Sequence, residues 1–417
     1  VTRDTAPHAL QVLESVLRSD RARIVARVVR IVGDLQYGED AVQEACVQAA
    51  RDWTTSGVPL NPQGWLVTVA RRRAIDRLRS LASASRREQS LYERVVTWDP
   101  ESDDGPVPDD RLRLIFTCCH PALAPEIQVA LTLHAVGGLT TGEIASAFMV
   151  SETAMAQRIT RGKRKIRETR IAYRVPDVEE LSRRLEAVLS TIYLIFTTGH
   201  LSPTGTSPVR VDLLDESLRL IDVLGELLSN HAEVLGLAAL MHLTDARRTT
   251  RLDVNGLPTN LARQDRTRWS SDEINLGLSL LSRARNLEDP GPYQIQAAIA
   301  AVHARATDAA RTDWAMIATL YDGLNALAPS PVIAMNRAVA IGLSRGPLEG
   351  LELLNEPGLR ESLTRHHRYH VARGHLLELS GEFDAAQQAW ERALELPMSA
   401  HERRALIEHR SAISLED

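Results

Sequence analysis

The sequence predicts an all-α protein of several domains, and three observations carry that prediction. Aromatic residues make up only 4% of the chain while Ala, Leu and Arg are abundant, a balance that favours helices over sheets. Apolar residues recur at helical spacing along most of the chain, without the strict alternation of a half-buried strand. At 417 residues the chain is too long for one simple core, so two or three domains are expected.

Residues 9–85 read as a first helical domain. Its clearest element runs from Asp40 to Trp53, where Val42, Ala45, Cys46, Ala49 and Trp53 fall at i, i+3, i+4, i+7 and i+11 on one face. Asp40, Gln43, Glu44 and Asp52 lie off that stripe and give the helix a polar, acidic outer surface. Asn61-Pro62-Gln63-Gly64 then breaks the chain and starts a helix over Trp65–Leu81. Trp65, Leu66, Val69, Ile75 and Leu78 keep the apolar period, and Arg71, Arg72, Arg73, Arg77 and Arg79 cover the remainder. An aromatic beside clustered arginines offers a single nucleic-acid strand a stacking surface and a charge track. The same residues fit a core Trp65 and a solvated basic face.

Residues 86–110 read as a linker. Positions 99–110 hold six acids and three prolines in twelve residues, which argues against a helix and leaves little to bury. A second domain is expected over 111–172. Pro121 and Pro125 separate a first helix from one over 126–136, and Gly137-Gly138 ends the latter. The next stretch, 139–159, reads as helix, tight turn, helix. Thr140 and Glu143 have the spacing of a capping box, and Ser151 is placed to cap the second helix. Ile144, Ala145 and Phe148 can face the core, as can Met155, Ile159 and Ile166 on the second helix. That geometry exposes Thr153, Ala156, Gln157, Arg158, Thr160 and Arg161. Positions 158–174 carry eight basic residues and one acid. A helix-turn-helix places such a helix in the DNA major groove, where Gln pairs with adenine and Arg with guanine. Lys163, Arg164, Lys165 and Arg167 come later and suit phosphates. The competing reading is a helical hairpin with a solvated basic face; capping, turn and charge together favour DNA binding.

From 176 to 417 the pattern stays helical, interrupted by loops rich in Gly, Pro and Asn. Gly374, Leu377, Gly381, Ala386, Trp390, Ala393 and Pro397 sit close to tetratricopeptide spacing, and 331–354, with Gly346 at the turn, is a weaker second repeat. Asp265, Arg266 and His303 are dense enough in polar groups to suggest an enzyme. No nucleophile elbow, phosphate loop or metal spacing anchors that idea, and helix caps explain them better. No catalytic residue is expected.

Charge is asymmetric. The net value of -5 divides into 25 basic and 21 acidic residues over 1–175, against 24 and 33 over 176–417, so DNA contact belongs to the front. Cys46, Cys118 and Cys119 are too few for a disulfide framework and fit a reducing compartment. Cys118-Cys119-His120 lacks the further ligands of a zinc site and reads as buried thiols; no metal and no cofactor are expected. No apolar run approaches membrane-spanning length and no signal pattern opens the chain, so a soluble, cytoplasmic protein is expected.

Together these residues resemble an extracytoplasmic-function sigma factor of bacterial RNA polymerase, in the subgroup with a long tetratricopeptide-like C-terminal extension. The resemblance is collinear over essentially the whole chain. Gly38-Glu-Asp-Ala-Val-Gln-Glu-Ala45 resembles the region-2 helix that binds the largest catalytic subunit, which implies that Asp40, Gln43 and Glu44 contact core polymerase. The segment 61–79 resembles the one that melts and reads the -10 element, implying that Trp65, Arg71, Arg72, Arg73 and Arg77 hold DNA there. Residues 111–172 resemble region 4, which reads the -35 element, here through Thr153, Ala156, Gln157, Arg158, Thr160, Arg161, Lys163 and Arg164. Phe116-Thr-Cys-Cys-His-Pro121 and Met155–Arg161 are close to the subgroup. Near 197 the subgroup has Asn-Glu-Gly-Tyr where this chain has Thr197-Thr-Gly-His200. With few residues ahead of region 2, the resemblance implies that the inhibitory region-1 domain of housekeeping sigma factors is not expected. The resemblance implies core RNA polymerase and promoter DNA as partners, with the extension over 176–417 modulating activity through a regulatory protein or the polymerase itself. The alternative is a helix-turn-helix regulator that senses a partner or ligand through its repeats and never joins polymerase.

Overall fold

The computed structural model describes residues 5–82, 86–97, 110–147, 150–200, 209–254 and 256–413. Among the described residues the regular elements are helices, and the only strand-like feature is an isolated bridge between Leu252 and Pro258. The chain forms two compact units. One holds the described residues up to 200 together with Val209–Leu227, and the other runs from 228 onward.

The first unit opens with α1 (Thr5–Val32), α2 (Leu35–Ser56), α3 (Pro62–Leu81) and α4 (Arg86–Thr97). Asp34 starts α2 by accepting the Tyr37 amide at 3.1 Å. The predicted stripe of Val42, Ala45, Ala49 and Trp53 is buried, and Cys46 is half-buried. Gly38 lets α2 cross α1 closely: a Cβ there would lie 2.6 Å from Val29 Cγ2. Asn61 caps α3 and Pro62 occupies its first turn, where the missing N–H costs nothing. Helix α4 covers the first part of the stretch read as linker and is built into this bundle. Arg71 donates to the Val95 carbonyl, Arg94 to the Arg30 carbonyl, and the Tyr37 hydroxyl to Glu88. The acid-rich stretch 98–109 lies outside the described residues.

The same unit continues with α5 (Asp110–Cys118), α6 (Pro125–Ala135), α7 (Thr141–Ala147), α8 (Glu152–Glu168), α9 (Val178–His200) and α10 (Val211–Leu227). Gly138, at φ 66°, turns the chain out of α6, and the Leu139 amide returns to the Leu133 carbonyl. Helices α9 and α10 belong with the helix-turn-helix and not with the second unit. Thr191 of α9 lies 3.3 Å from the buried Cys119 sulfur, Arg111 of α5 pairs with Glu216 of α10, and Arg210 pairs with Glu143. His200, the departure from the subgroup pattern, is buried edge-on against Phe196. The two bundles of this unit meet through Arg30–Asp110 at 3.3 Å and through the Tyr173 hydroxyl, whose single proton has the carbonyls of Ala26 at 2.9 Å and Asp110 at 2.8 Å as acceptors.

The second unit contains α11 (Ala232–Asp245), α12 (Ser271–Arg285), α13 (Pro292–Arg305), α14 (Trp314–Leu327) and α15 (Pro331–Arg345). It ends with α16 (Pro347–Leu354), α17 (Pro357–Leu363), α18 (His367–Leu379), α19 (Phe383–Leu394) and α20 (Ala400–Ile413). The predicted repeat is the α18–α19 hairpin, turned at Gly381. Gly374 sits against the Trp390 indole so closely that a Cβ would lie 2.3 Å from its Nε1. The weaker repeat is the α15–α16 hairpin, where Gly342 and Gly350 meet. Two of the polar residues weighed above, Asp265 and Arg266, make hydrogen bonds within the fold. Asp265 caps a short turn, and Arg266 donates to the carbonyls of His303 and Ala306 and to Thr312 Oγ1.

Candidate nucleic-acid interface

Helices α7 and α8 form the helix-turn-helix. The capping box closes in both directions: the Thr140 amide donates to Glu143 Oε2 at 2.8 Å, and the Glu143 amide donates to Thr140 Oγ1 at 3.2 Å. Ser151 accepts the Ala154 amide and starts α8. Ile144, Ala145, Met155, Ile159 and Ile166 are buried as the spacing requires, while Phe148 lies outside the described residues. Gly162 brings α8 onto α6, its missing side chain leaving room for Ile127 and Leu131.

That packing fixes what α8 presents. Thr153, Ala156, Gln157, Thr160 and Arg161 are exposed, Arg158 is half-buried, and Arg164 is exposed beside Glu168 at 3.8 Å. Lys163 departs from the expected free phosphate ligand. Its ammonium lies 2.5 Å from Glu39 Oε2 on α2, with both side chains largely buried. One turn on, Arg167 lies 3.5 Å from Asp34 and its guanidinium sits 5.2 Å from the Tyr37 ring centroid. His134 lies 3.8 Å from Glu39, but burial holds its pKa below the ordinary value against the pull of that carboxylate. Sequence reasoning misses Glu39 and Asp34. Their only signal is an acid next to a helix start, which also fits ordinary capping.

The second basic helix, α3, divides its arginines. Arg72 is exposed. Arg71 is half-buried and ties α4 to the bundle. Arg73 donates to Gln48 at 2.9 Å, and Arg77 lies 3.2 Å from Asp40 and 3.7 Å from Glu44. The residues expected to meet polymerase and two of those expected to meet DNA therefore share one open trough of ≈ 660 Å³ between α2 and α3. Within it Gln43 and Glu44 remain exposed and Asp40 is half-buried, also accepting from Gln36. Trp65 is half-buried with its ring edge-on to Trp53, centroids 5.5 Å apart. Cys118 and Cys119 are fully buried, and burial pushes both thiols up. Among the described residues no His, Cys, Asp and Glu cluster has the geometry of a metal site, and no helix is long and apolar enough to cross a membrane.

Comparison with known proteins matches the two bundles separately. Residues 16–84 match the family model for Sigma-70 region 2, and residues 113–166 match that for Sigma-70, region 4. Residues 184–285 match a family of unknown function, DUF6596. An uncharacterized protein of Rhizobium meliloti is 39% identical over 402 residues, covering 94% of this chain and 93% of that protein. The ECF RNA polymerase sigma factor SigK of Mycolicibacterium vanbaalenii is 30% identical over 152 residues, 36% of this chain and 76% of that protein. The probable ECF RNA polymerase sigma factor SigI of Mycobacterium tuberculosis is 32% identical over 161 residues, 37% of this chain and 54% of that protein. With regions 2 and 4 in order, and SigK at 30% identity matched over 76% of its length, the chain belongs to the extracytoplasmic-function family of RNA polymerase sigma factors.

Proposed function

We propose that the chain binds core RNA polymerase and directs it to promoters by gripping DNA at two places. In this reading Asp40, Gln43 and Glu44 on α2 contact the polymerase. Trp65, Arg71, Arg72, Arg73 and Arg77 on α3 hold the -10 element. Thr153, Ala156, Gln157, Arg158, Thr160 and Arg161 on α8 read the -35 element, with Lys163 and Arg164 on its phosphates. The observation that carries the reading is the helix-turn-helix itself, whose two-way capping box and exposed Gln157 and Arg161 suit major-groove contact. Arg73 and Arg77 would exchange their α2 partners for phosphates once polymerase takes up the α2 carboxylates. The whole protein acts in the cytoplasm, without catalysing a reaction of its own, and the extension modulates its output through a protein partner.

The test is reconstitution with purified core polymerase, followed by footprinting on a promoter library. The chain should coelute with core enzyme and protect two patches of DNA. Coelution without protection, or protection of a single patch that core enzyme does not alter, would overturn the reading in favour of a free-standing regulator.

A further inference from the structure

We propose that the second unit carries a DNA-binding surface of its own, built by Arg263, Arg268 and Arg305, that grips backbone phosphates without reading sequence. The inference stands apart from the two-site reading, which assigns DNA contact to the first unit alone.

Charge averaging hides this surface. Over 228–417 the chain holds 20 arginines, no lysine and 24 acids. Six of those arginines fall within 247–268, beside only two acids, Asp253 and Asp265. The remainder of 228–417 is acidic, with 14 arginines against 22 acids, and the segment is a basic island in it. Exposed charges more than about 8 Å apart are largely screened at physiological salt. The local excess, and not the net charge of the unit, therefore governs a phosphate at this surface.

The segment is held in one shape. Trp269 Nε1 donates to Thr250 Oγ1 at 3.0 Å, the Ser270 amide to the Ala246 carbonyl at 2.8 Å, and Thr249 Oγ1 to the Arg268 carbonyl at 3.2 Å. These bonds tie the start of the segment to its end. Arg266 lies with its guanidinium carbon 5.1 Å from the Trp269 ring centroid and fastens the loop to the end of α13 through the carbonyls of His303 and Ala306. Arg263 stands three places before Arg266, Arg268 two places after it, and Arg305 beside Ala306, so the three flank one anchored turn. All three are exposed, and among the described residues none of them forms an ion pair. A surface fixed in advance loses little conformational freedom when it is occupied. The neighbourhood is positive enough to act on its own histidine: burial, reinforced by Arg247 and Arg266, holds His303 down to about 4.

The composition of the surface favours DNA over an acidic protein. Protein interfaces are centred on apolar side chains and depleted in charge there. Among the described residues of 247–268, Val254 is the one large apolar side chain that is exposed. Surfaces that meet nucleic acid are polar and strongly positive, and arginine supplies much of their phosphate contact. The three arginines sit on short turns and at a helix end, with no helix face laid out to enter a groove, so the contact is to the backbone.

The test measures binding of the full-length chain to a random-sequence duplex by fluorescence anisotropy over a range of salt. Arg263→Ala, Arg268→Ala and Arg305→Ala are combined. Each phosphate contact contributes about 0.9 to the slope of log affinity against log salt, so the triple variant should flatten that slope by about 2–3 and weaken binding at low salt by about tenfold or more. The same loss should appear when Arg72→Ala and Arg161→Ala are already present, which separates this surface from the first unit. Lysine at the same three positions should keep the slope, because the charge is retained. A wild-type chain without measurable affinity for the duplex, a triple alanine variant with the wild-type slope, or a lysine variant that falls as far as alanine overturns the proposal. A triple alanine variant that keeps its slope but no longer coelutes with core polymerase assigns the surface to a protein and overturns the DNA assignment.

Discussion

A buried ion pair, Arg111–Glu216, contributes to the join between the helix-turn-helix bundle and α10, and replacing Glu216 by Gln tests it. Arg111 is only 3% exposed and its Nη1 lies 2.5 Å from Glu216 Oε2. Removing one partner of a buried pair leaves a charge away from water and costs about 3–5 kcal/mol. Glu216 is 15% exposed and also lies 3.2 Å from Arg219, so its removal belongs at the low end, about 3 kcal/mol. In a unit of this size 1 kcal/mol moves the melting temperature by about 2–4 °C, giving a fall of roughly 6–12 °C. Replacing both partners by apolar residues, Arg111→Met with Glu216→Leu, removes the hydration penalty as well. That double variant should return to within about 1 kcal/mol of wild type. Calorimetry of the full-length chain measures the shift, and hydrogen exchange at the amides of α5 and α10 locates it. Glu216→Gln melting with wild type, or a double variant whose loss is the plain sum of its singles, would refute the reasoning.

The packing makes three other outcomes measurable. Ending the chain after 175 removes Thr191, Arg210 and Glu216 from the region-4 bundle and should yield aggregated or poorly protected protein, whereas ending it after 227 should leave a folded first unit; circular dichroism melts of the two truncations decide this. Gly374→Val forces side-chain atoms into the Trp390 indole and should lower stability by about 2 kcal/mol, read as a lower urea midpoint at constant slope. Burial, reinforced by Arg247 and Arg266, lowers the His303 pKa to about 4, so the folded protein keeps this ring neutral while the unfolded chain takes up a proton near its ordinary value. The unfolded state therefore binds more protons between about pH 6.5 and 4, and stability should fall through that window as pH drops, by about 3 kcal/mol in all, and then level off. Urea titrations at pH 7 and pH 5 should show a smaller pH dependence in His303→Gln than in wild type, and equal slopes would rule His303 out as the source.

Legibility in the sequence depends on how local each determinant is. The capping box, Ser151 and the buried face of Met155, Ile159 and Ile166 depend on residues a few positions apart, and all stand where the spacing puts them. The Gly374–Trp390 hairpin is equally readable, because a small residue facing an aromatic at repeat spacing has few other uses. Lys163 escapes for the opposite reason. On a helical wheel it stands with the other basic residues, and only the fold brings Glu39, more than a hundred positions earlier, against it. Arg71 and Arg77 illustrate the same limit. Composition marks a basic face, but whether each guanidinium meets a carbonyl, a carboxylate or open water depends on α2 and α4. The stretch 86–97 reads as part of the acidic linker beside it, since its ties to the bundle run through Arg71, Arg30 and Tyr37 on other helices. Helices α9 and α10 read as part of the extension because the sequence shows no difference in kind between them and the helices of the second unit.

Run-off transcription with core polymerase, comparing wild type with Arg72→Ala combined with Arg161→Ala, tests two-site promoter recognition most directly. Both arginines are exposed, one on each basic helix, so their loss should leave the melting temperature within experimental scatter. Wild type should give a specific transcript, and the double variant should lose about tenfold or more of it, with a weaker dependence of promoter affinity on salt. A specific transcript of undiminished yield from the same start site after both substitutions would contradict the claim.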